Sequence, residues 1–327
     1  MSLLPKSVPP RPMLAVSARQ QDIVFPVLAS YKLDGIRALF SNGVLYSRSG
    51  LPIPNESIQW WARQSLPEGS CFDGELVVEQ HIDADTSCSS FIYSQAARKI
   101  YLSEFHPTQS AIMSRAGEPN FFYAVFDQWR VPAAGGTKVP ARGRLCATGG
   151  YGTPSCIHRL LYLPQVYLRN EQQLASFVQE AADRNFEGIC TRHADSLYVP
   201  RRATLKSGAL CKLKPFATAE ATILLIHPRQ HNTNPRIDSP FGLSKRRNTL
   251  GAKEELEQVG SIVVQDCETQ EIFSIGTFRM THAELQELWH NRASYINKLC
   301  TYRYLPHGEK DLPRNASMLG IRDTRDI

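Results

Sequence analysis

The chain has 327 residues, of which 42% are hydrophobic, enough to build a packed core and to exclude a disordered or collagen-like protein. Its net charge of +6 permits a nucleic-acid partner without requiring one, and the whole surplus falls within residues 1–216. No apolar run is long enough to span a membrane, and the Pro-rich start MSLLPKSVPPRP lacks the apolar segment of a secretion signal, so a cytoplasmic protein away from membranes is expected. The cysteines are scattered, no two closer than Cys146 and Cys156, which reads as reduced thiols rather than a zinc knuckle or a redox pair.

The segment through Pro12 reads as an extended lead-in. From Val24 to Tyr46 the apolar runs VFPVLAS, ALF and VLY, with Ser41, Asn42 and Gly43 between them, predict a meander of strands. Asn55 to Leu66 predicts a helix capped by Asn55, with Ile58, Trp61, Ala62 and Ser65 on one face. Cys71–Glu79 predicts a strand, Ser90–Glu104 a helix, and the apolar stretch Phe121–Trp129 a buried strand. Residues 131–158, rich in Gly, Pro, Ala and Thr, read as a long loop. A strand at Arg159–Leu168 and a helix at Asn170–Arg184, with Leu174, Phe177, Val178 and Ala181 at helical spacing, come next. Short strands are expected at Gly188–Arg192 and Cys211–Pro215.

After Phe216 the pattern changes to strands at 221–227, 259–266, 271–277 and 298–305, with one helix at Thr281–Ala293. That order predicts a small, partly open barrel of the OB type over 217–327, behind a domain covering 1–216. The polar connection 227–259 carries Arg229, Arg236, Lys245, Arg246, Arg247 and Lys253. No internal repeat or heptad is present.

Lys32-Leu33-Asp34-Gly35-Ile36-Arg37 follows the strand VLASY and forms K-x-D-G-x-R. By itself it also describes a strand end with a surface lysine and an Asp-Gly turn. Further short motifs follow in order: Ser47-Arg48-Ser49-Gly50, Asp73-Gly74-Glu75-Leu76, Tyr123-Ala124-Val125-Phe126-Asp127, Glu187-Gly188-Ile189 and Lys212-Leu213-Lys214-Pro215. This ordered set resembles the covalent nucleotidyltransferases, that is, ATP-dependent DNA ligases, RNA ligases and mRNA capping enzymes, and within them the short bacteriophage-type DNA ligases. The likeness spans nearly the whole chain, including Val259–Val264 with Phe273–Thr277 and the closing Gly320-Ile321-Arg322-Asp323.

The resemblance implies an α+β fold: a nucleotidyltransferase (adenylation) domain of antiparallel sheets with flanking helices, then an OB-fold β-barrel. It implies that Lys32 is the nucleophile that takes AMP from ATP, and that Lys212 and Lys214 lower the cost of its neutral form and stabilise charge on the α-phosphate. Glu75 and Glu187 are the implied ligands of Mg²⁺ or Mn²⁺, Glu75 also touching the ribose. Arg48 and Arg37 are implied to hold the ribose and later the 5′-phosphate of a nick, since the arginine fork fits phosphate. Tyr123 is expected to stack on adenine, with Phe126 as the alternative. Lys206 is a candidate substrate contact, and Arg314 or Arg322 is the candidate to orient pyrophosphate. Asp34 and Gly35 read as turn formers. Each carboxylate and lysine also has a plain reading as a loop or solvated-strand residue.

Two positions depart from the family pattern. Ser30 stands two residues before Lys32, where many DNA ligases carry an acidic residue that reads the adenine amine. The closing motif lacks a final lysine. The absence of a four-Cys zinc site argues against the large NAD-dependent ligases, and the short turn Cys267–Gln270 leaves no room for an inserted clamp. The expected partner is nicked double-stranded DNA, gripped through phosphates by the 229–253 and 131–158 segments and bound by a monomer. An RNA ligase or capping guanylyltransferase, and a catalytically inactive nucleic-acid-binding module, are the alternatives.

Overall fold

The computed structural model describes residues 11–78, 105–130, 139–146, 156–157, 159–184, 186–238, 244–246, 252–277, 280–305 and 312–322. The chain divides into two compact units, one running to Lys214 and the other from Pro215 to Asp238 and from Ser244 onward.

The first unit begins with β1 (Val16–Ser17), β2 (Val27–Tyr31), β3 (Ile36–Ser41), β4 (Val44–Ser47), α1 (Glu56–Ser65) and β5 (Ser70–Val78). It continues with α2 (Phe105–Met113), β6 (Phe121–Arg130), α3 (Ala141–Cys146), β7 (Cys156–Ile157), β8 (Leu160–Tyr162) and β9 (Val166–Leu168). It ends with α4 (Glu171–Asp183), β10 (Ile189–His193) and β11 (Cys211–Leu213). These strands make a five-stranded sheet in the order β1-β11-β10-β2-β9 and a six-stranded sheet in the order β4-β3-β5-β6-β8-β7.

The expected meander is therefore corrected. β2 pairs with β10 and β9, while β3 pairs with β4 and β5 in the other sheet, so the chain changes sheets between Tyr31 and Ile36. The expected lead-in through Pro12 lies mostly outside the described residues; after it β1, which the sequence assigns to no element, pairs in parallel with β11 at a sheet edge. The single strand expected at Arg159–Leu168 is two, β8 joining one sheet and β9 the other. The helix expected at 90–104 lies outside the described residues.

β6 shows why an apolar run with no alternation is still a strand. Phe121, Tyr123 and Val125 face a core shared with α1, while Phe122 and Ala124 face a second core shared with α4. Both faces are buried, so both parities must be apolar. α1 is capped by the Asn55 side chain, which accepts the Ile58 N–H at 3.0 Å. Its packed face carries Gln59 in place of the expected Ser65. The Gln59 amide donates to the Leu45 and Ile53 carbonyls at 2.7 and 2.9 Å, which is how a polar side chain is accommodated there. α4 is capped by Asn170 and buries Leu174, Phe177 and Ala181.

Part of the segment read as a long loop is anchored. α3 buries Ala141 and the guanidinium of Arg144, which bonds Asp127 through Nε at 2.7 Å and Nη2 at 3.0 Å. Arg192 reaches the same carboxylate at 2.6 Å. Arg144 is therefore a structural residue and not a free DNA-gripping cation.

The second unit holds β12 (Ala217–Asn232), β13 (Arg236–Asp238), β14 (Ser244–Arg246), β15 (Lys253–Asp266), β16 (Ile272–Thr277), α5 (His282–His290), β17 (Leu299–Leu305) and β18 (Arg314–Ile321). Five of these form a closed barrel in the order β12-β15-β16-β18-β17, where the sequence predicts a partly open one. β18 closes it, pairing in parallel with β16 and antiparallel with β17. The core consists of Ile223, Ile262, Val264, Ile275, Tyr302 and Met318, with Leu285 and Leu288 of α5 against it. The described part of the 227–259 connection is paired: the β12–β15 ladder runs on, through register shifts at His227–Arg229, to Asn232 opposite Lys253, with β13 and β14 paired beyond it. Among the described residues no helix is long and apolar enough to cross a membrane.

Candidate active site

Lys32 stands where the chain leaves one sheet for the other. Its N–H donates to the Gly188 carbonyl at 2.8 Å, extending the β2–β10 ladder past Tyr31. Gly188 has φ +137°, and a Cβ there would fall 2.1 Å from the Leu213 carbonyl oxygen, so only glycine fits. Gly35 is constrained likewise, a Cβ falling 2.3 Å from the Leu76 carbonyl oxygen. Both motif glycines are thus steric requirements of the close approach that brings the motifs together.

Glu187 accepts the Lys32 ammonium on Oε2 and the Lys214 ammonium on Oε1. Burial favours the neutral amine of Lys32, but the charges of Glu187 and Glu75 outweigh it, and its pKa lies above the ordinary lysine value. Glu187 is also desolvated, yet the two lysines hold its carboxylate below the usual range. Lys212 goes the other way: burial and the neighbouring charges of Lys214 and Lys32 lower it. Lys212 and Lys214 share a face because Cys211 and Leu213, the alternate residues, are buried in the cores. Glu75 is raised to about 7, chiefly by burial, against the pull of Lys32 and Arg37.

Lys32 and Glu75 line a pocket between the two sheets, and Glu187 reaches it through its bond to Lys32. Ser30, Lys32 and Cys190 line it from one side, and Arg37, Glu75 and Phe126 from the other. Ser30, Cys190, Lys212 and Ser17 form one transverse row across β2, β10, β11 and β1. Arg37 and Glu75 are direct cross-strand partners on β3 and β5. Phe126 is the extra residue of a β-bulge in β6, since Asp73 pairs with Asp127 and Gly74 with Val125. The Arg37 guanidinium lies 4.7 Å from the Phe126 ring centroid.

Tyr123 is not in this pocket. Its ring is fully buried beside Trp61, and its hydroxyl donates to the Ala38 and Phe72 carbonyls at 3.0 Å each. A ring enclosed on both faces cannot stack on a ligand, so Phe126, the alternative, replaces it as the pocket aromatic. Arg37 also differs from expectation. Its Nε and Nη2 bond the Asp73 carboxylate at 2.7 and 2.6 Å, and Nη2 donates to the Met13 carbonyl at 2.9 Å, leaving only Nη1 uncommitted among the described residues. Most of its fork is spent inside the protein.

Arg48 and Lys206 are exposed and do not line the pocket. Arg314 and Arg322 belong to the second unit, where Arg322 pairs with Glu220 at 2.6 Å. Four residues near the site carried no motif signal. Arg192 and Cys190 line the pocket; Arg202 adds its charge to the field at Lys212; Tyr198 donates to Asp73 at 2.7 Å. Their signal is tertiary: Cys190 and Arg192 lie on β10, and Tyr198 and Arg202 on the chain that follows it.

Glu75 and Glu187 offer hard carboxylate oxygens. A magnesium-type ion needs one or two of these together with substrate phosphates, so the donor set fits such an ion once a polyphosphate is present. Among the described residues no cluster of three or more His, Cys, Asp or Glu is gathered for a metal.

No protein-family model matches the chain, and no curated protein matches it. Solved structures do. A Lig E DNA ligase superposes with a TM-score of 0.62 at 21% identity, over 95% of this chain and 98% of that one. The fold is that of the DNA ligases. The chain is also matched to the Chlorella virus DNA ligase-adenylate, at 25% identity and a TM-score of 0.48 over 95% of this chain and 99% of that one, and to the ATP-dependent DNA ligase of bacteriophage T7 in complex with ATP, at 14% identity and a TM-score of 0.45 over 95% and 98%. Within this DNA-ligase fold, the pocket lined by Lys32, Glu75 and Phe126, and Glu187 that holds Lys32, lie wholly in the first unit.

Proposed function

We propose that the chain is an ATP-dependent DNA ligase that seals 5′-phosphate/3′-hydroxyl nicks in duplex DNA, and that residues 1–216 and 217–327 act as its adenylation and OB-fold domains. The observation that carries the reading is Lys32 on the wall of a recess between the two sheets, with Glu75 in the same wall, held by Glu187, which Lys214 also grips, and within the charge field of Lys212.

Lys32 Nζ attacks the α-phosphorus of ATP, a P–N bond forms and pyrophosphate leaves. This needs the amine neutral, while the structure holds it as an ammonium against Glu187. Its proton must therefore pass to a neighbouring base or to water as the nucleotide binds. Glu75, raised to about 7, is poised to accept a proton near neutral pH. Lys212 and Lys214 present positive charge to the phosphates, which stabilises the transition state more than the ground state. Phe126 stacks on the base, and Arg37 behind it fixes the ring. A divalent ion held by Glu75 and Glu187 would neutralise phosphate charge. In the second step an oxygen of the nick 5′-phosphate attacks the AMP phosphorus and the P–N bond breaks. In the third the 3′-hydroxyl attacks the 5′-phosphorus and AMP leaves.

Arg48, Lys206, Arg314 and Arg322 remain candidates for contacts made after the nucleotide or the DNA binds. The exposed Arg236 and the Arg229 side chain on the β12–β15 arm supply further positive charge for phosphates. Incubation with α-labelled ATP and Mg²⁺ should leave an acid-labile label on wild type and none on Lys32→Ala. Lys32→Ala should fail to seal a nick from ATP yet still join a pre-adenylated nick. Label retained only from GTP, or labelling without nick sealing, would overturn the reading in favour of a capping enzyme or an RNA ligase.

A further inference from the structure

Resting on the nucleotide-pocket reading above, we infer that the Tyr198 hydroxyl is a positioning group. It fastens the segment Met13–Ser17, which carries Ala15 of the pocket wall, to the Arg37–Asp73 pair.

Met13 is gripped at both ends of its backbone. Its N–H donates to Tyr198 Oη at 3.0 Å, and its carbonyl accepts from Arg37 Nη2 at 2.9 Å. Tyr198 Oη in turn donates to Asp73 Oδ2 at 2.7 Å, and Asp73 takes two bonds from Arg37. The ring Met13–Tyr198–Asp73–Arg37 is thus closed by hydrogen bonds through four chain segments distant in sequence. Three of its four members are buried, Met13 at 1% exposed, Tyr198 at 2% and Asp73 at 0%, and the fourth, Arg37, has a side chain 17% exposed where it lines the pocket. Buried polar groups in a closed network of this kind hold one geometry, because any departure strands a desolvated partner.

Two consequences reach the pocket. From Met13 onward the segment zips along the chain after Tyr198, Leu14 N–H donating to the Arg201 carbonyl at 3.0 Å and Val16 N–H to the Leu210 carbonyl at 3.1 Å. This places Ala15 on the pocket wall beside Leu210. Arg37, at the other side of the ring, has its guanidinium over Phe126. Tyr198 itself is fixed by its ring, whose centroid lies 4.2 Å from that of Trp129. Its side chain does not line the pocket, and its hydroxyl reaches the wall through Met13 and through Asp73, which holds Arg37. Removing its hydroxyl leaves the ring packing intact and loosens both the wall and the support of Phe126.

The test is Tyr198→Phe, read at a temperature where both proteins are fully folded. Self-adenylation should need about tenfold more ATP for half-saturation, the cost of one buried hydrogen bond, with the maximal rate within about twofold of wild type. Amide hydrogen exchange of the peptide covering Met13–Ser17 should be faster in the variant and should slow again when ATP is added. A purely structural loss would lower the labelled fraction without moving half-saturation. An unshifted half-saturation, or unchanged exchange in that peptide, overturns the positioning role. Wild type that takes no label from ATP overturns the ligase reading itself, which separates the two failures.

Discussion

Lys32 and Lys214 donate to opposite oxygens of the one Glu187 carboxylate. The bridge ties the end of β2 to the end of β11 and keeps the Lys32 amine charged, since Glu187 and Glu75 together outweigh the effect of burial. A group whose pKa is raised in this way is mostly protonated at neutral pH. The rate of self-adenylation should then climb by about tenfold per pH unit across the neutral to mildly alkaline range. Joining of pre-adenylated DNA uses no lysine amine and should lack that slope. A flat rate of self-adenylation over the same range would contradict the charged state of Lys32.

Phe126 and Tyr123 separate binding from stability. Phe126→Ala should raise the ATP concentration needed for half-maximal labelling by about tenfold or more, as the stacking surface is lost. Tyr123→Phe strips a hydroxyl that serves two core carbonyls and should cost about 1–2 kcal/mol of stability, with the ATP requirement unchanged. Thermal melts and labelling titrations on both variants check this. Equal effects on the ATP requirement would return Tyr123 to the pocket.

Asp127 holds two buried guanidinium groups, with Arg144 and Arg192 side chains 1% and 3% exposed. Asp127→Asn leaves them without a counter-charge in the interior. The expected loss is about 3–5 kcal/mol, seen as a lowered denaturant midpoint of the first unit. A midpoint equal to wild type would mean that the cluster is solvated.

Asp266 in the barrel accepts from the Thr269 and Glu268 N–H groups at 2.8 and 2.9 Å and from the Tyr302 hydroxyl at 2.6 Å. Burial pushes its carboxyl up, but these bonds prevail and hold it below the usual range. Its contribution is therefore fully present above the unfolded value near pH 4 and is lost as pH falls through the lower folded value. Asp266→Asn should flatten the acid limb of barrel unfolding, followed by Tyr302 fluorescence. An unchanged limb would assign acid sensitivity elsewhere.

Much of this molecule was legible in its residues. Asn55 and Asn170 marked the starts of α1 and α4 because side-chain caps are local, and the spacing of Leu174, Phe177 and Ala181 marked the buried stripe for the same reason. Alternation placed Lys212 and Lys214 on one face. Gln59 was missed, because what lets it into a packed face is two carbonyls, of Leu45 and Ile53, that no helical period encodes. The residues of β18 show only a closing motif and no strand pattern, since its pairing with β16 and β17 is decided by barrel closure.

At the site the same division holds. The sequence by itself determined which chemistry is carried: a lysine before a turn glycine, two carboxylates and paired lysines in a fixed order. Only the tertiary structure decided which aromatic enters the pocket. Tyr123 and Phe126 lie on one apolar strand, and a β-bulge opposite Asp73 and Gly74 sends Phe126 into the recess while Tyr123 stays in the core. It also committed most of Arg37 to Asp73, and it brought Met13 and Tyr198 to that pair from positions 185 residues apart. Residue identity sets what a group can do, and local spacing sets its parity along a strand. Which face meets the ligand depends on how two sheets stack, which arises from contacts between segments distant in the chain.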